Sequence, residues 1–298
     1  MKSILVTGSN GLLGQKLVDL LSQDKLIRLI ASSRGENRLP YNSNYIYEPL
    51  DLINKKEVVR ILDKYRPDSV INTAAMTQVD FCEENQSECR KDNIETVKIL
   101  VEAANNFNSH LIHLSSDFIF DGLHGPYKET DKASPPSYYG ITKLEGEKII
   151  ISKSKKWSIV RTILVYGVNK YMSRNNIVKW IKESLEAGNS IKIVNDQFRM
   201  PTFVNDLAVG CYKISKQQSL GVYHISGNEL MSILELAYRV ASFFKLDQSL
   251  IIPILSTELG EKAKRPVSTG FILDKAINEL DYHPHSFEEG LEEIKKFY

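Results

Sequence analysis

Tyr139 and Lys143 are the two side chains in this sequence whose types and spacing best suit proton transfer. They stand four residues apart in a helical pattern, so both side chains lie on one face of the helix. A tyrosine can give a proton to a carbonyl oxygen, but its ordinary pKa of about 10 must be lowered, and a nearby ammonium group favours the phenolate. Ser116, at the carboxyl end of a predicted strand, adds a hydroxyl that can hydrogen-bond to the same oxygen. The three residues predict a site of acid–base chemistry.

The context of the Tyr–Lys pair identifies it better than the spacing does. Tyr-x-x-x-Lys occurs three times in the sequence, and the copies that begin at Tyr166 and Tyr212 do not follow a polar strand end. The copy at Tyr139 follows the strand that ends in Ser115, Ser116 and an aspartate. Open α/β sheets bind their ligands at the carboxyl ends of their strands. We therefore predict that the pair at Tyr139 belongs to the active site.

A glycine-rich turn directly follows the first predicted strand. Gly8, Gly11 and Gly14 stand between Val6, where the strand ends, and an apolar helix. Such glycines allow a tight turn, close approach of the backbone to a pyrophosphate, and close packing of the helix on the strand, while the helix N-terminus attracts the phosphate charge. The spacing here is G-x-x-G-x-x-G rather than the common G-x-G-x-x-G. The turn predicts a dinucleotide-binding site.

The end of the second strand indicates which dinucleotide is bound. The sequence there is A-S-S-R, with no Asp or Glu to hold a free ribose 2′-hydroxyl. Arg34 and Ser33 suit a 2′-phosphate, because a guanidinium can hold it through two hydrogen bonds. A solvated loop arginine is the alternative interpretation of Arg34. We expect NADPH, with NADH as the alternative cofactor, and we expect Asp51 and Leu52 to lie near the adenine.

Short β-branched runs alternate with helical patterns through the first half of the chain. This alternation predicts right-handed βαβ units and a parallel sheet with helices on both faces. The expected fold class is therefore α/β, with a Rossmann-type doubly wound parallel sheet. Strands are predicted at 4–7, 26–31, 69–72, 110–114 and 158–162, and helices at 12–21, 55–65, about 87–106 and about 138–152.

The alternation loosens after residue 166, which predicts a smaller C-terminal lobe. We expect an NAD(P)-binding Rossmann domain over residues 1–165 and a mostly substrate-binding lobe over 166–298, with some later segments returning to the first sheet. In this lobe, helices are predicted at 177–187, 206–215, 233–244 and 287–297, and a strand at 191–194.

The overall composition narrows the possible functions. The formal net charge is +1, with no block of like charges and no apolar run of membrane-spanning length. We therefore expect neither nucleic acid nor membrane as a partner. The three cysteines lack both CxxC spacing and nearby histidines, so neither disulfides nor a metal site is expected. No secretory signal is visible, and a reducing cytoplasm is the expected location.

Taken together, the motifs give the sequence a resemblance to the extended short-chain dehydrogenase/reductases over essentially its whole length. Within that group it resembles the dTDP-4-dehydrorhamnose reductase subgroup. The resemblance is carried by SSDFIFDG (115–122), GPY (125–127), YGITKLEGE (139–147), RT (161–162), DQ (196–197), PT (201–202), DLA (206–208) and RP (265–266). It implies NAD(P)H-dependent reduction of a nucleotide-linked 4-keto-6-deoxy sugar, so a nucleotide-sugar is the expected partner. Whether the chain forms a homodimer stays open.

The resemblance also assigns roles to individual residues. It places Ser116, Tyr139 and Lys143 in catalysis. Together with the glycine turn, it gives an expected cofactor-binding set of Gly8, Asn10, Gly11, Leu12, Leu13, Gly14, Ser33, Arg34, Asp51, Leu52, Ala74, Ala75, Met76, Asn93, Tyr139 and Lys143. The expected substrate-binding set is Ser116, Asp117, Leu164, Arg199 and Arg265.

Three positions depart from the pattern of the subgroup. Ser116 stands where threonine is common, which keeps the hydroxyl. Leu164 stands where a tryptophan often helps to hold the substrate, and Arg199-Met200 replaces a pair of smaller residues. The last two leave the identity of the sugar open.

Two other functions remain compatible with the sequence. One is an epimerase or another nucleotide-sugar oxidoreductase with the same three catalytic residues. The other is a non-catalytic NADP-binding subunit of another enzyme, against which the intact catalytic residues argue. The related 4,6-dehydratases have an Asp-Glu pair after the position of Ser116, and this chain has Asp117-Phe118 instead. Because elimination of water needs both an acid and a base, Phe118 favours reduction over dehydration.

Overall fold

Short apolar runs form a central parallel sheet, as the sequence predicts. The computed structural model describes residues 1–39, 44–169, 171 and 175–298. The strands of the first half are β1 (Lys2–Thr7), β2 (Ile27–Ser33), β3 (Tyr45–Pro49), β4 (Ser69–Asn72), β5 (His110–Ser116) and β6 (Trp157–Thr162). The helices that connect them are α1 (Leu12–Leu21), α2 (Lys55–Tyr65), α3 (Val79–Glu84), α4 (Gln86–Arg90), α5 (Thr96–Asn106) and α6 (Tyr138–Lys153).

The second half is built from shorter elements. Its strands are β7 (Val165–Tyr166), β8 (Ile191–Val194), β9 (Phe198–Arg199), β10 (Thr202–Phe203), β11 (Gly221–His224), β12 (Met231–Ser232), β13 (Ile251–Ile254) and β14 (Ser268–Thr269). Its helices are α7 (Ile177–Glu186), α8 (Val204–Gln217), α9 (Ile233–Phe244), α10 (Asp274–Leu280) and α11 (Phe287–Lys295). The two-residue strands were not predicted, because they are too short to show a hydrophobic period.

The order of the strands places a ligand crevice after β1. Among the described residues, seven parallel strands form one sheet in the order β11-β6-β5-β4-β1-β2-β3. Successive strands run outward on one side from β1 to β3 and on the other side from β4, so the order reverses between β1 and β4. In open α/β sheets ligands bind at such a reversal, at the carboxyl ends of the strands. The glycine turn follows β1 at this edge.

Part of the C-terminal half completes the first sheet. β11 pairs in parallel with β6, and α8 packs on α1. The hydroxyl of Tyr212 in α8 also donates a hydrogen bond to Asp24, at 2.9 Å. The rest of this half forms a separate lobe with its own apolar core, in which α7 and α9 cover the pair β8–β13.

The helix predicted at about 87–106 is not continuous, which corrects that prediction. A π-helical turn over Lys91–Glu95 separates α4 from α5. The turn carries Asn93, whose side chain hydrogen-bonds outside its own helix. Single π turns within helices frequently occur at functional sites, and their widened backbone is not encoded by a simple apolar period. No helix among the described residues is long and apolar enough to cross a membrane.

A buried ion pair fixes α6 to the sheet. The guanidinium of Arg161 in β6 and the carboxylate of Glu147 in α6 approach to 2.7 Å, with side chains only 6% and 1% exposed. Arg161 also donates to the carbonyl of Glu129 at 3.1 Å and lies over the ring of Phe120. Because both charges lie away from water, each depends on the other for compensation.

We expect Glu147→Ala to lower the free energy of unfolding by about 3–5 kcal/mol, because it leaves the Arg161 charge buried without a partner. Glu145→Ala is the matched control, since Glu145 lies on the same helix and pairs with Arg90 where both side chains are accessible. It should leave the stability nearly unchanged. Urea unfolding of both variants measures the difference, and equal losses would contradict the role of the buried pair.

Candidate active site

One large cleft opens at the carboxyl edge of the sheet and extends onto the second lobe. It has a volume of about 1160 Å³. The predicted site residues that line it are Gly8, Asn10, Gly11, Leu12, Leu13, Ser33, Arg34, Asp51, Leu52, Ala74, Ala75, Ser116, Asp117, Tyr139, Lys143, Leu164, Arg199 and Arg265. The fold thus brings most of the residues selected from the sequence into one continuous space.

The glycine turn has the geometry of a phosphate-binding loop. Gly8 adopts a φ of +75°, and a Cβ on it would lie 2.8 Å from the backbone nitrogen of Ala74. A Cβ on Gly14 would lie 2.2 Å from the carbonyl oxygen of Gly8, so only glycine lets α1 pack this closely on the turn. Among the residues that the structure describes, no side chain caps the N-terminus of α1. Its first N–H groups are therefore free to bind an anion.

Buried hydroxyl groups beside the turn also suit a polar ligand. Ser32 and Ser115 both line the cleft, and within the described part of the chain neither side-chain oxygen has a hydrogen-bond partner. Buried polar groups usually have partners in protein or bound ligand. The glycine turn and these hydroxyls together make the site suitable for binding a dinucleotide.

Arg34 projects from the end of β2 at the mouth of the cleft. Its side chain is 67% exposed, and its guanidinium lies 3.4 Å from a carboxylate oxygen of Asp92. A second guanidinium, that of Arg38, also lines the cleft. Sequence analysis did not select Arg38, although it follows Arg34 by only four residues and could have been considered for the same phosphate. Two cations at this end of the cleft suit a phosphate group.

The three predicted catalytic residues come together where β5 meets α6. Ser116 ends β5, and its hydroxyl donates to Asp117 Oδ1 at 3.0 Å. Tyr139 is the second residue of α6, and the N-cap residue of this helix, Ser137, accepts a hydrogen bond from the backbone N–H of Gly140. One turn further on, Lys143 Nζ donates to the carbonyl of Leu114 at 2.6 Å.

The electrostatics of the tyrosine differ from the expectation. Burial raises the pKa of Tyr139, and the Ser116 hydroxyl acts in the opposite direction without outweighing burial. The predicted lowering by a neighbouring ammonium group was wrong for this state, because loss of hydration disfavours the phenolate more strongly. The phenol therefore keeps its proton, as a proton donor requires.

The lysine shows the opposite shift for the same reason. Burial lowers the pKa of Lys143 to about 8, although the carboxylate of Glu147 and the thiol of Cys89 act to raise it. An ammonium group without its hydration shell is destabilised, so Lys143 gives up its proton more readily than an exposed lysine. The site thus holds a protonated phenol beside an amine that titrates near neutrality.

Three residues predicted to contact the cofactor do not line the cleft in the described structure. Gly14 supports the turn from behind, as described above. Asn93 accepts a hydrogen bond from the backbone nitrogen of Met76 at 2.9 Å and donates to the carbonyl of Met76 at 3.0 Å and to Thr142 Oγ1 at 3.0 Å. Asn93 and Met76 therefore attach the segment after β4 to α6, and they shape the cleft indirectly.

The predicted substrate side is dominated by a buried arginine. Arg199 donates to the carbonyls of Phe198 at 2.7 Å and Pro266 at 2.7 Å, and its Nε lies 3.8 Å from Asp117 Oδ2. Burial raises the pKa of Asp117, and the nearby Arg199 charge acts to lower it. These contacts hold the Arg199 guanidinium in a fixed position between the segment 265–268 and the end of β5.

Arg265 and Leu164 complete the predicted substrate side. Arg265 forms ion pairs of 2.9 Å with both Asp80 and Glu261, which ties the C-terminal segment to α3. Leu164 has a φ of +38°, a left-handed conformation that is strained for a leucine. Such strain is found most often where a loop is held for binding.

Sequence analysis missed many residues of the cleft, about half of them in the C-terminal half of the chain. The additional lining residues include Thr7, Thr73, Phe118, Asn176, Trp180, Lys192, Gln197 and Glu261. Trp180 and Lys192 add an indole that is 39% exposed and an ammonium group to the cleft lining. An exposed tryptophan on an amphipathic helix was the one available signal, and it was not used.

Comparison with known proteins gives consistent matches over the whole chain. Residues 1–298 match the family described as RmlD substrate binding domain. A dTDP-4-dehydrorhamnose reductase of Aggregatibacter actinomycetemcomitans is 30% identical, with 100% of this chain and 99% of the relative covered. Methionine adenosyltransferase 2 subunit beta of Bos taurus is 27% identical, with 89% and 78% covered. The crystal structure of dTDP-4-dehydrorhamnose reductase from Bacillus anthracis str. Ames in complex with NADP superposes with a TM-score of 0.85, 27% identity and 100% of both chains covered.

The burial of Lys143 predicts a stability cost that depends on pH. Below pH 8 the folded protein carries the ammonium group at full cost, so Lys143→Met should raise the free energy of unfolding at pH 7 by about 1–3 kcal/mol. Between pH 8 and 10.5 the folded protein loses this proton while the unfolded chain keeps it, so the wild type gains stability and the advantage of the variant shrinks. Unfolding curves across this range, with exposed Lys148→Met as the control, measure the effect. A destabilised Lys143→Met protein at pH 7 would contradict it.

Proposed function

Because the chain belongs to the RmlD substrate binding domain family, we propose that it is an NADPH-dependent reductase of a nucleotide-linked 4-keto-6-deoxy sugar. The observation that carries the proposal is the single cleft that joins the glycine turn to Ser116, Tyr139 and Lys143. A dinucleotide on the turn and a sugar beside Tyr139 would meet in that space. The alignment with the reductase relative covers 99% of the length of that relative.

The residues of the chain support a reduction with a simple division of labour. NADPH supplies the hydride when it is bound. Ser116 and Tyr139 hold the substrate carbonyl oxygen by hydrogen bonds, and Tyr139 donates the proton that this oxygen needs as it gains negative charge. Burial keeps the phenol protonated until that moment. Lys143, one helical turn away, supplies positive charge next to the phenolate that remains.

The residue after Asp117 distinguishes reduction from dehydration. Phe118 lines the cleft, and its ring meets the Tyr139 ring edge-on, with centroids 5.6 Å apart. An aromatic ring can neither donate nor accept the protons that the elimination of water requires. Asp117 is engaged by Ser116, Thr269 and the nearby Arg199. We infer that these contacts assign Asp117 to positioning the substrate side.

The second candidate is a protein that binds NADP without turnover. It is favoured by one observation, the 27% identity to the bovine protein named methionine adenosyltransferase 2 subunit beta. The complete set of Ser116, Tyr139 and Lys143 in one cleft supports catalysis instead. Binding of NADPH with no turnover of any keto-sugar would favour the second candidate.

The proposed function is tested by NADPH oxidation with a panel of nucleotide-linked 4-keto-6-deoxy sugars. We expect one NADPH to be consumed per sugar reduced, and Tyr139→Phe to lower kcat by about 10²- to 10⁴-fold while NADPH binding is retained. Tyr138→Phe is the matched control and should have a mild effect, because Tyr138 is the neighbouring residue outside the cleft lining. Formation of a 4-keto-6-deoxy product from an unmodified dTDP-hexose, without net NADPH use, would rule out the reductase assignment.

The cofactor preference is tested at Arg34. We expect Arg34→Ala to weaken NADPH binding by roughly 10- to 100-fold and to leave NADH binding nearly unchanged, because only NADPH carries the 2′-phosphate. Titration of both cofactors by fluorescence or calorimetry gives the two dissociation constants. A selective loss of NADPH in Arg38→Ala, and not in Arg34→Ala, would reassign the phosphate contact to Arg38.

A further inference from the structure

A buried histidine that the proposed mechanism does not use lies directly behind Lys143. His113, in β5, is 2% exposed and does not line the cleft. Its Nε2 lies 3.3 Å from Lys143 Nζ, and its Nδ1 lies 3.0 Å from Asn72 Nδ2. His113 therefore connects the end of β4 with the catalytic amine through its two ring nitrogens.

The neighbours of Asn72 determine which way the hydrogen bonds run. Asn72 Oδ1 accepts from the backbone nitrogen of Ala74 at 3.2 Å and from Thr7 Oγ1 at 2.7 Å. A backbone N–H can only donate, so the oxygen of Asn72 faces Ala74 and its amide NH₂ faces His113. His113 Nδ1 must then accept. A neutral imidazole whose Nδ1 accepts carries its hydrogen on Nε2.

This tautomer points an N–H at Lys143. An ammonium group has only donors, so the contact between His113 Nε2–H and a charged Lys143 sets donor against donor. A neutral amine has a lone pair that can accept the same hydrogen. Lys143 already donates to the carbonyl of Leu114 at 2.6 Å, which fixes its position relative to the imidazole. The contact with His113 therefore stabilises the amine relative to the ammonium form.

From this geometry we propose that His113 is a positioning residue that acts through Lys143: it faces the lysine with an N–H and so favours the release of the lysine proton toward the active site. The series of hydrogen bonds from Thr7 through Asn72 and His113 to Lys143 determines that the neutral amine of Lys143 is favoured. This series begins at the end of β1, beside the glycine turn, and ends at helix α6. The inference rests on the proposed function for its role in turnover, and on the structure alone for the state of Lys143.

The release step balances without any further reactant. When Tyr139 has given its proton to the substrate oxygen, a phenolate remains. An N–H bond of the Lys143 ammonium breaks, an O–H bond forms on the phenolate oxygen of Tyr139, and the new amine lone pair accepts His113 Nε2–H. No electrons are transferred between the groups, and Lys143 afterwards takes up one proton from bulk solvent, which is the proton that the overall reduction consumes.

The other groups around Lys143 act on its charge differently. Glu147, one turn along α6, and Cys89, in α4, both act to raise the pKa of Lys143, and Glu147 is itself paired with Arg161. His113 is held neutral, since burial and the Lys143 charge keep its pKa well below the ordinary value. Among the groups that face Lys143 from other elements, His113 is thus the one that opposes the ammonium form through a directed hydrogen bond.

The tautomer and the lysine titration can both be measured directly. We would record nitrogen NMR spectra of protein with isotope-labelled histidine, and follow isotope-labelled lysine against pH, with and without NADP⁺. The signals are assigned by their absence in His113→Asn and Lys143→Met. The wild type should show His113 with its hydrogen on Nε2, and Lys143 titrating near pH 8.

The variant His113→Asn tests the roles of the two ring nitrogens separately. Its amide oxygen can still accept from Asn72 at the Nδ1 position, but no atom remains at the Nε2 position facing Lys143. We expect the Lys143 titration, and the matching limb of the kcat–pH profile, to move upward by about one pH unit, which corresponds to the loss of one hydrogen bond. His110→Asn is the matched control, because His110 is also buried in β5 but its Nε2 contacts Ser158 at 2.8 Å. It should leave the Lys143 titration unchanged.

Each outcome separates this inference from the proposed function. A His113 hydrogen on Nδ1 in the wild type, or an unmoved Lys143 titration in His113→Asn, would overturn the inference even if keto-sugars are reduced. A shifted titration in a protein that reduces no keto-sugar would uphold the state of Lys143 and overturn the proposed function. If His113→Asn does not fold, the wild-type tautomer alone decides.

Discussion

The active site depends on how closely helix α6 lies against the end of strand β5. A Cβ on Gly140 would lie 2.1 Å from the carbonyl oxygen of Phe118, so a larger residue would force the helix away from the strand. This approach brings Tyr139 to Ser116 and excludes water from the phenol and from the Lys143 amine. Interactions between polar groups are stronger in such a dry environment, and unpaired charges are more costly. The protonated tyrosine and the labile lysine both follow from this one contact.

Two buried asparagines extend the same constraint into the protein. Asn93 ties the segment after β4 to α6, and Asn72 ties β4 to β1 and to the imidazole behind the lysine. An amide both donates and accepts, so each side chain joins several partners without adding a charge to the interior. Neutral polar groups can thus fix the orientation of charged ones at little electrostatic cost. The catalytic helix is held by these directed contacts as well as by its apolar face.

The first half of the fold and the centre of the site could be predicted because their signals are local. Buried parallel strands leave continuous apolar runs, such as Ile4–Val6 and Leu111-Ile112, and the glycine turn needs its residue types wherever it occurs. Ser116, Tyr139 and Lys143 were selected by their positions relative to those strands. The sequence therefore contained both the sheet and the place on it where chemistry occurs.

The rest required the three-dimensional structure because its causes lie far apart in the chain. Arg199 is held by the carbonyl of Pro266, and the strands around it are only two residues long. The π turn that carries Asn93 follows from contacts with α6 rather than from any periodic pattern. The direction in which the pKa of Tyr139 shifts was predicted wrongly for a related reason. It depends on how much water the folded chain excludes, and no pair of residues in the sequence reports that quantity.

The return of β11 to the sheet determines how the protein can be divided. A fragment that ended before the second lobe would leave β6 as an unpaired edge, with backbone N–H and C=O groups open to pairing with another chain. It would also lose α8 from the face of α1 and expose the apolar residues beneath it. The first half of the chain thus depends on β11 and α8 to complete its sheet and to cover α1. Exchange of the second lobe between relatives would have to keep β11 and α8 with the first half of the chain, and a single crossover point in the gene cannot do this.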